Sequence, residues 1–147
     1  MSGVPSVESQ ELPRSIECFS LAKHEGDYEN WPLETELYHN GQATCASVAG
    51  SVLEAQYAMA AGYLLVSTWD CPFEEMATFL LLDTELNLLS RTDLGGWYAT
   101  GEFKNPRWTD PKTLEFCFFG DERWQLAIVT RWRRPFLSLS KLEDDYE

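Results

Sequence analysis

The stretch that most restricts the fold is YLLVSTWDCPFEEMATFLLLD, Tyr63 to Asp83. It contains two short runs rich in aliphatic, β-branched and aromatic residues, separated by a turn-forming segment with Asp70 and Pro72. Runs of this composition predict strands. Because both alternating faces of each run are mostly apolar, we expect central strands that are covered on both sides. The stretch therefore predicts a β-hairpin in the interior of a β-rich domain.

Further strands are predicted after this hairpin. LLSRTDL predicts a third strand ending at Gly95-Gly96, whereas the Asn-Pro and Asp-Pro steps of KNPRWTDPKT are typical of a loop. LEFCFF and WQLAIVTRW, joined by GDER, predict the last strand pair, which Pro135 ends. One face of the final strand is predicted to hold every second residue, namely Trp124, Leu126, Ile128, Thr130 and Trp132.

The first half of the chain leaves one choice open. SIECFSLA and LETELYH predict strands, and His39-Asn40-Gly41 predicts a turn. Residues 43–61 fit a helix that ends near Gly62, or a strand that pairs with the one beginning at Tyr63, and we favour the strand. The predicted fold class is mainly β, an antiparallel meander of six to eight strands forming a sandwich or curved sheet, with the helix around 43–61 as the alternative.

The length of 147 residues suits a single domain. Residues 1–13 are poor in apolar side chains and predict a loose N-terminal arm. Residues 14–137 predict one β-rich domain, and residues 138–147 an acidic C-terminal tail.

The charge is strongly negative and unevenly distributed. The net charge is −13, and residues 1–103 alone carry 16 acidic against three basic residues. Residues 104–134 carry seven basic and four acidic residues, a local excess of three positive charges. A field of this sign repels phosphate backbones and anionic lipids and favours basic protein partners. Solubility alone is the other explanation of such a charge.

The cysteines and the termini bear on the compartment. Cys18, Cys45, Cys71 and Cys117 could form two disulfides in three connectivities. The first fifteen residues contain neither a basic n-region nor an apolar h-region, so we expect no signal peptide, a cytoplasmic location and reduced thiols. No apolar run approaches the length of a transmembrane helix, and no membrane partner is predicted.

The segment WDCPFEE offers a thiol and neighbouring carboxylates. A cysteine nucleophile needs a nearby base, and both histidines lie far from Cys71 in the sequence. The simpler interpretation is a turn whose acids face water. A third interpretation is a contact surface for a basic partner, because rigid rings flanked by carboxylates are typical of binding sites. The predicted partner-binding residues are Trp69, Asp70, Phe73, Glu74 and Glu75.

Other chemistries find little support in the sequence. His24, Glu25 and Asp27 could face a hard cation, but KHEGDYEN lacks the oxygen pattern of a calcium loop, and a solvated turn is favoured. No zinc spacing, phosphate loop or serine-hydrolase motif is present, so we predict no enzyme, metal or cofactor. RWQLAIVTRWRR interleaves Arg and Trp as stacking platforms do. We instead expect its arginines to pair with the protein's own acids, such as Glu143–Asp145, and predict no direct nucleic-acid binding.

The region from residue 52 to residue 130 resembles small immunity proteins of bacterial toxin systems that are delivered by contact-dependent or type VI routes. The resemblance is carried by a strand, an acidic PFEE turn and a meander that ends in an aromatic hairpin. It implies tight stoichiometric inhibition of a cognate toxin with a basic surface, and it assigns no functional residue. Two alternatives stay open: a ligand-binding or enzymatic domain with a site built from distant residues, and an assembly subunit that associates through an edge strand. The oligomeric state is not predicted.

Overall fold

The computed structural model describes residues 11–24, 26, 34–68, 76–95 and 103–142. All regular structure within these ranges is β, and no helix occurs in them. Twelve strands are present: β1 Arg14–Ser15, β2 Phe19–Leu21, β3 Thr35–His39, β4 Gln42–Val48, β5 Val52–Met59, β6 Gly62–Thr68, β7 Met76–Leu82, β8 Leu88–Gly95, β9 Lys104–Asp110, β10 Thr113–Phe118, β11 Glu122–Arg131 and β12 Arg134–Lys141.

The strands form three antiparallel sheets. The central sheet has the order β1-β5-β6-β7-β8, the N-terminal sheet β2-β3-β4, and the C-terminal sheet β12-β11-β10-β9. The mainly β antiparallel fold is therefore confirmed. The predicted number of six to eight strands is too low, because very short strands such as β1 carry little periodic signal, and because two others were hidden by prolines.

Residues 43–61 form strands, so the helical alternative is wrong. Residues 43–48 belong to β4 and residues 52–59 to β5, and β5 pairs with β6 over Val52 to Met59. Gly62 shows why the chain reverses at Ala60-Ala61-Gly62. It has a φ of +145°, and a Cβ atom built there would lie 1.9 Å from the Leu82 carbonyl oxygen. Only glycine allows β6 to begin this close to β7.

The central sheet is covered on both faces, as the apolar hairpin predicted. Alternate residues of β6 and β7, such as Leu64 and Phe79, are buried against the C-terminal sheet. The intervening residues, such as Leu65 and Leu80, are buried against the N-terminal sheet. Since successive strand residues point to opposite faces, the alternation of two apolar sets produces three stacked layers.

Ring contacts fix how the C-terminal sheet lies on the central sheet. Phe79 packs 5.3 Å from Phe116, measured between ring centroids, and Tyr57 packs 5.2 Å from Trp108. Of these two ring contacts, Phe79–Phe116 lies closer than Tyr57–Trp108 to Gly95 in the central sheet and to Lys104 in the C-terminal sheet. Gly95 and Lys104 lie on either side of residues 96–102 in the sequence. The two stacked sheets therefore have corresponding ends. We call the end that contains Gly95 and Lys104 the Gly95 end of the molecule.

The segment KNPRWTDPKT is not a loop up to Asp110, because β9 runs through it. Pro106 is accommodated since β9 is the edge strand, where one side of the backbone needs no partner. Asn105 has a positive φ of 54°, and the β9–β10 register shifts twice. These irregularities explain why the sequence pattern does not predict this strand. Its Trp108 ring is packed against the core.

The end of β11 also differs from the prediction. Trp124, Leu126 and Ile128 do face the core, but β11 ends at Arg131, and Trp132 lies in a turn with its side chain 89% exposed. Pro135 does not end the β-structure, because β12 begins at Arg134 and pairs with β11 along its whole length. β12 occupies residues 138–141 of the segment predicted as the acidic tail, and residues 143–147 lie outside the described ranges.

Candidate interaction surfaces

The five predicted partner-binding residues, Trp69, Asp70, Phe73, Glu74 and Glu75, lie outside the described residues, as does Cys71. The strands on either side of them are described. Thr68 at the end of β6 is paired with Ala77 at the start of β7, so the predicted hairpin partners are adjacent antiparallel strands. The described residues that flank 69–75 therefore lie at the Gly95 end of the central sheet.

Other acidic segments are attached to the same end. Residues 96–102 follow Gly95, which pairs with Met76. Residues 27–33 precede Thr35, whose hydroxyl donates to the Gly50 carbonyl, and Ser51 in turn donates its N–H to the Thr68 carbonyl. Residues 143–147 follow Leu142, whose N–H bonds to the Arg123 carbonyl beside the Phe116 level. Counting Glu25, the segments that these described residues flank contain 11 acidic residues.

Buried hydroxyl groups hold the described strands in place near this end. Thr68 Oγ1 donates to Glu54 Oε2 at 2.6 Å, and Thr78 Oγ1 donates to Asp93 Oδ1 at 2.9 Å. Ser67 Oγ donates to the Ala49 carbonyl at 3.1 Å. Because these polar groups are satisfied, their burial carries no large desolvation penalty, and the strand ends that flank the acidic segments are well anchored.

Glu34 and Arg91 form a bidentate ion pair between the N-terminal and central sheets. The Arg91 Nη1 and Nη2 atoms donate to the two Glu34 carboxylate oxygens at 2.9 and 3.0 Å. This pairing holds the pKa of Glu34 below its ordinary value and raises that of Arg91. Asp93 lies 3.6 Å from Arg91 as a second carboxylate. The charge of Arg91 is therefore compensated by two carboxylates of the same molecule.

The β11–β12 hairpin presents a second surface at the opposite end of the C-terminal sheet. We define the hairpin tip as residues 129–136. Trp132 is 89% exposed, and the cross-strand partners Val129 and Phe136 are 38% and 36% exposed. The arginines of the tip are all exposed, and none lies within ion-pair distance of a carboxylate among the described residues: Arg131, Arg133 and Arg134.

The predicted pairing of these arginines with Glu143–Asp145 falls on residues that the structure does not describe. The register of β12 nevertheless places the described residue Lys141, which precedes that segment, far from the arginines. Lys141 pairs with Trp124, whereas Arg134 pairs with Arg131 at the other end of the strand. Seven residues of strand separate Lys141 from Arg134, which is about 23 Å at the usual rise.

The charges of the described residues divide between the sheets. All 11 Lys and Arg residues of the chain are described. Residues 104–141 carry eight of them against four acids, whereas the described residues of 11–95 carry three bases against eight acids. The C-terminal sheet is therefore net positive and the rest of the described molecule net negative. The local positive excess is visible in the sequence, whereas the grouping of an exposed ring and three arginines at one tip is not.

The remaining candidate chemistry is sparse among the described residues. His24 Nε2 lies 2.8 Å from Thr35 Oγ1. Since the Thr35 proton goes to the Gly50 carbonyl, His24 is the donor in this contact. Cys18, Cys45 and Cys117 are free thiols. The described ranges contain no group of three His, Cys, Asp or Glu side chains arranged to hold a metal ion. They also contain no helix with the length and apolar character needed to cross a bilayer.

Comparison with known proteins gave no match: no family model, no curated protein and no solved structure is similar to this chain.

Proposed function

We propose that the protein acts without catalysis or a cofactor, by binding a basic protein stoichiometrically, in the manner of an immunity protein that neutralises a cognate toxin. The observation that supports the proposal is the segregation of charge. Eleven acidic residues belong to segments whose flanking residues lie at the Gly95 end, whereas every Lys and Arg of the chain belongs to the described ranges. This end is suited to a cationic surface.

The composition of residues 69–75 supports the same surface. Trp69 and Phe73 supply rigid rings of the kind that dominate binding energy in interfaces, and Asp70, Glu74 and Glu75 supply charge. Complementary charge raises association rates towards ~10⁸ M⁻¹s⁻¹ at low salt. Fast association is what a toxin inhibitor requires. Buried rings then set the dissociation rate.

The first test concerns the class of partner. The product of a neighbouring reading frame is expressed with and without this protein in the same cells. Growth arrest that this protein relieves, together with a complex of fixed stoichiometry from the purified components, is the expected result. Relief of arrest without any complex would contradict binding as the mechanism, and so would turnover of a metabolite by this protein alone.

The second test concerns the surface. The variant Asp70→Lys, Glu74→Lys, Glu75→Lys should bind the partner at least about tenfold more weakly, because like charges now face each other across the interface. The matched control Glu11→Lys, Glu17→Lys, Glu85→Lys makes the same change in net charge on exposed residues of the described part and should bind nearly as the parent does. Equal affinity of both variants, measured by calorimetry, would remove residues 69–75 from the interface.

A further inference from the structure

The hairpin tip departs from stable hairpin design in three independent ways. Trp132 and Arg133 occupy the two central positions of the turn with φ of 55° and 65°. Turns of this type favour Asn and Gly, and a bulky residue with positive φ is strained. Arg131 and Arg134 are directly opposite each other, which is repulsive. The Trp132 ring is exposed. None of these features stabilises the fold, which indicates a binding role.

The outer face of β11 and β12 continues from the tip towards the Gly95 end. Its outward side chains between the tip and Arg123 are uncharged and mostly small. They alternate with the core residues of both strands, and they are Gln125, Ala127, Ser138 and Ser140. A smooth uncharged strip between a cationic, aromatic tip and the start of an acidic segment is suited to face-to-face packing.

The acidic segment 143–147, EDDYE, complements the tip in charge. It carries four carboxylates, and the tip carries three arginines without described ion pairs. Within one molecule, chain length limits how near the segment can come to the tip. Leu142 lies at the level of Arg123, about 26 Å of strand from Arg134, whereas five extended residues span about 17 Å. The four carboxylates can therefore engage the arginines together only on another copy.

We infer that two copies of this chain associate face to face and antiparallel through the outer face of β11 and β12, so that each tip receives residues 143–147 of the other. This arrangement is a closed two-fold dimer, the commonest form of oligomer. It covers Trp132, Val129 and Phe136, and it compensates the arginines of both tips. The inference does not use residues 69–75, but it assigns residues 143–147 to the second copy. These hold four of the eleven acidic residues counted for the proposed function, so seven are left for its basic partner.

The test is the mass of the purified full chain by light scattering after size-exclusion chromatography, over a range of concentrations. The expected mass is twice 16.8 kDa, falling towards 16.8 kDa on dilution or at 1 M salt, because exposed ion pairs are screened. A monomer at all concentrations would overturn the inference. So would an open-ended series of larger species, because a closed dimer does not extend, or a monomer that elutes with bound nucleic acid.

Charge reversal at either contact, with mixing, locates the interface. The tip variant Arg131→Glu, Arg133→Glu, Arg134→Glu and the segment variant Glu143→Lys, Asp144→Lys, Asp145→Lys should each raise the dimer dissociation constant at least tenfold. Mixed together they should form a heterodimer, because each reversed tip then meets a reversed segment. Failure of the mixture to associate, with both variants folded by circular dichroism, would overturn the proposed pairing. The control Arg14→Glu, Lys23→Glu, Arg107→Glu reverses three exposed cations elsewhere and should dimerise as the parent does.

Discussion

Glu34 and Arg91 are 57 positions apart in the chain, yet their side chains form the bidentate ion pair that joins the N-terminal sheet to β8. Nothing in the sequence around either residue predicts this partner. An ion pair of this kind is set by the distance between two side-chain heads, and that distance depends on how the sheets stack. Neither residue stands out in the sequence, because Glu34 is an ordinary charge just before β3 and Arg91 an ordinary charge within β8.

This pair predicts a pH dependence of stability. Because the folded-state pKa of Glu34 is lowered from 4.5, the pair stabilises the fold above that value, and the contribution is lost as the pH falls through the lower folded-state pKa. Glu34→Gln should reduce the free energy of unfolding by about 0.5 kcal/mol at pH 7, a value that allows for solvent screening of a partly exposed pair. Urea titrations at pH 7 and pH 3 should show this difference shrinking at the lower pH.

The control for this prediction is Glu17→Gln, which removes an exposed carboxylate with no cation at ion-pair distance among the described residues. It should change the stability at pH 7 less than Glu34→Gln does. A Glu34→Gln effect of equal size at both pH values would show that the pair does not act through ionisation.

At the scale of elements, the molecule uses the same two-residue turn twice with opposite chemistry. Between β3 and β4 the central residues are Asn40 and Gly41, with φ of 52° and 82°. Between β11 and β12 they are Trp132 and Arg133. The first turn is predicted by its Asn-Gly signal. The second was not predicted, because neither Trp nor Arg is a typical turn residue and because Pro135 indicated the end of the strand.

The difference between the two turns predicts a stabilising substitution. Trp132→Asn with Arg133→Gly should raise the free energy of unfolding by about 1–2 kcal/mol, since it removes the cost of positive φ for two residues with side chains. The measurement is urea unfolding at a protein concentration low enough to keep every variant monomeric. The reciprocal change Asn40→Trp with Gly41→Arg should destabilise the protein. A loss of stability in the Asn-Gly variant would mean that the Trp132 side chain stabilises the folded monomer.

At the scale of the whole molecule, the three stacked layers follow from two apolar sets on the same strands. Leu64 and Leu65 are neighbours in β6, both fully buried, and they belong to different core clusters. In a two-layer sandwich one of them would face solvent. The prediction that the hairpin is covered on both sides is a statement about local composition. Which sheets do the covering is decided by distant strands.

Because the central sheet is covered on both faces, truncation of either of the adjacent residues Leu64 and Leu65 should lower the stability by a similar amount. Leu64→Ala and Leu65→Ala should each lower the free energy of unfolding by about 2–5 kcal/mol, because each leaves a cavity in a packed core. Leu88→Ala, at a position that is 56% exposed, is the control and should cost less than about 0.5 kcal/mol. Denaturant unfolding of the three variants is the measurement. A small cost for Leu65→Ala alone would contradict the packing of the N-terminal sheet on β6.

The sequence by itself determined the β class, the interior hairpin and the Asn-Gly turn, because short apolar runs rich in β-branched and aromatic residues, and turn residues, act over a few neighbouring positions. It also determined the excess of negative charge. Only the tertiary structure decided that β9 and β12 exist despite their prolines, since an edge strand tolerates a missing donor and edge position is set by pairing. Likewise, strand register decided that the residues flanking the acidic segments lie at one end and that Trp132 and three arginines are exposed at the other, because position along a sheet depends on pairing between distant residues.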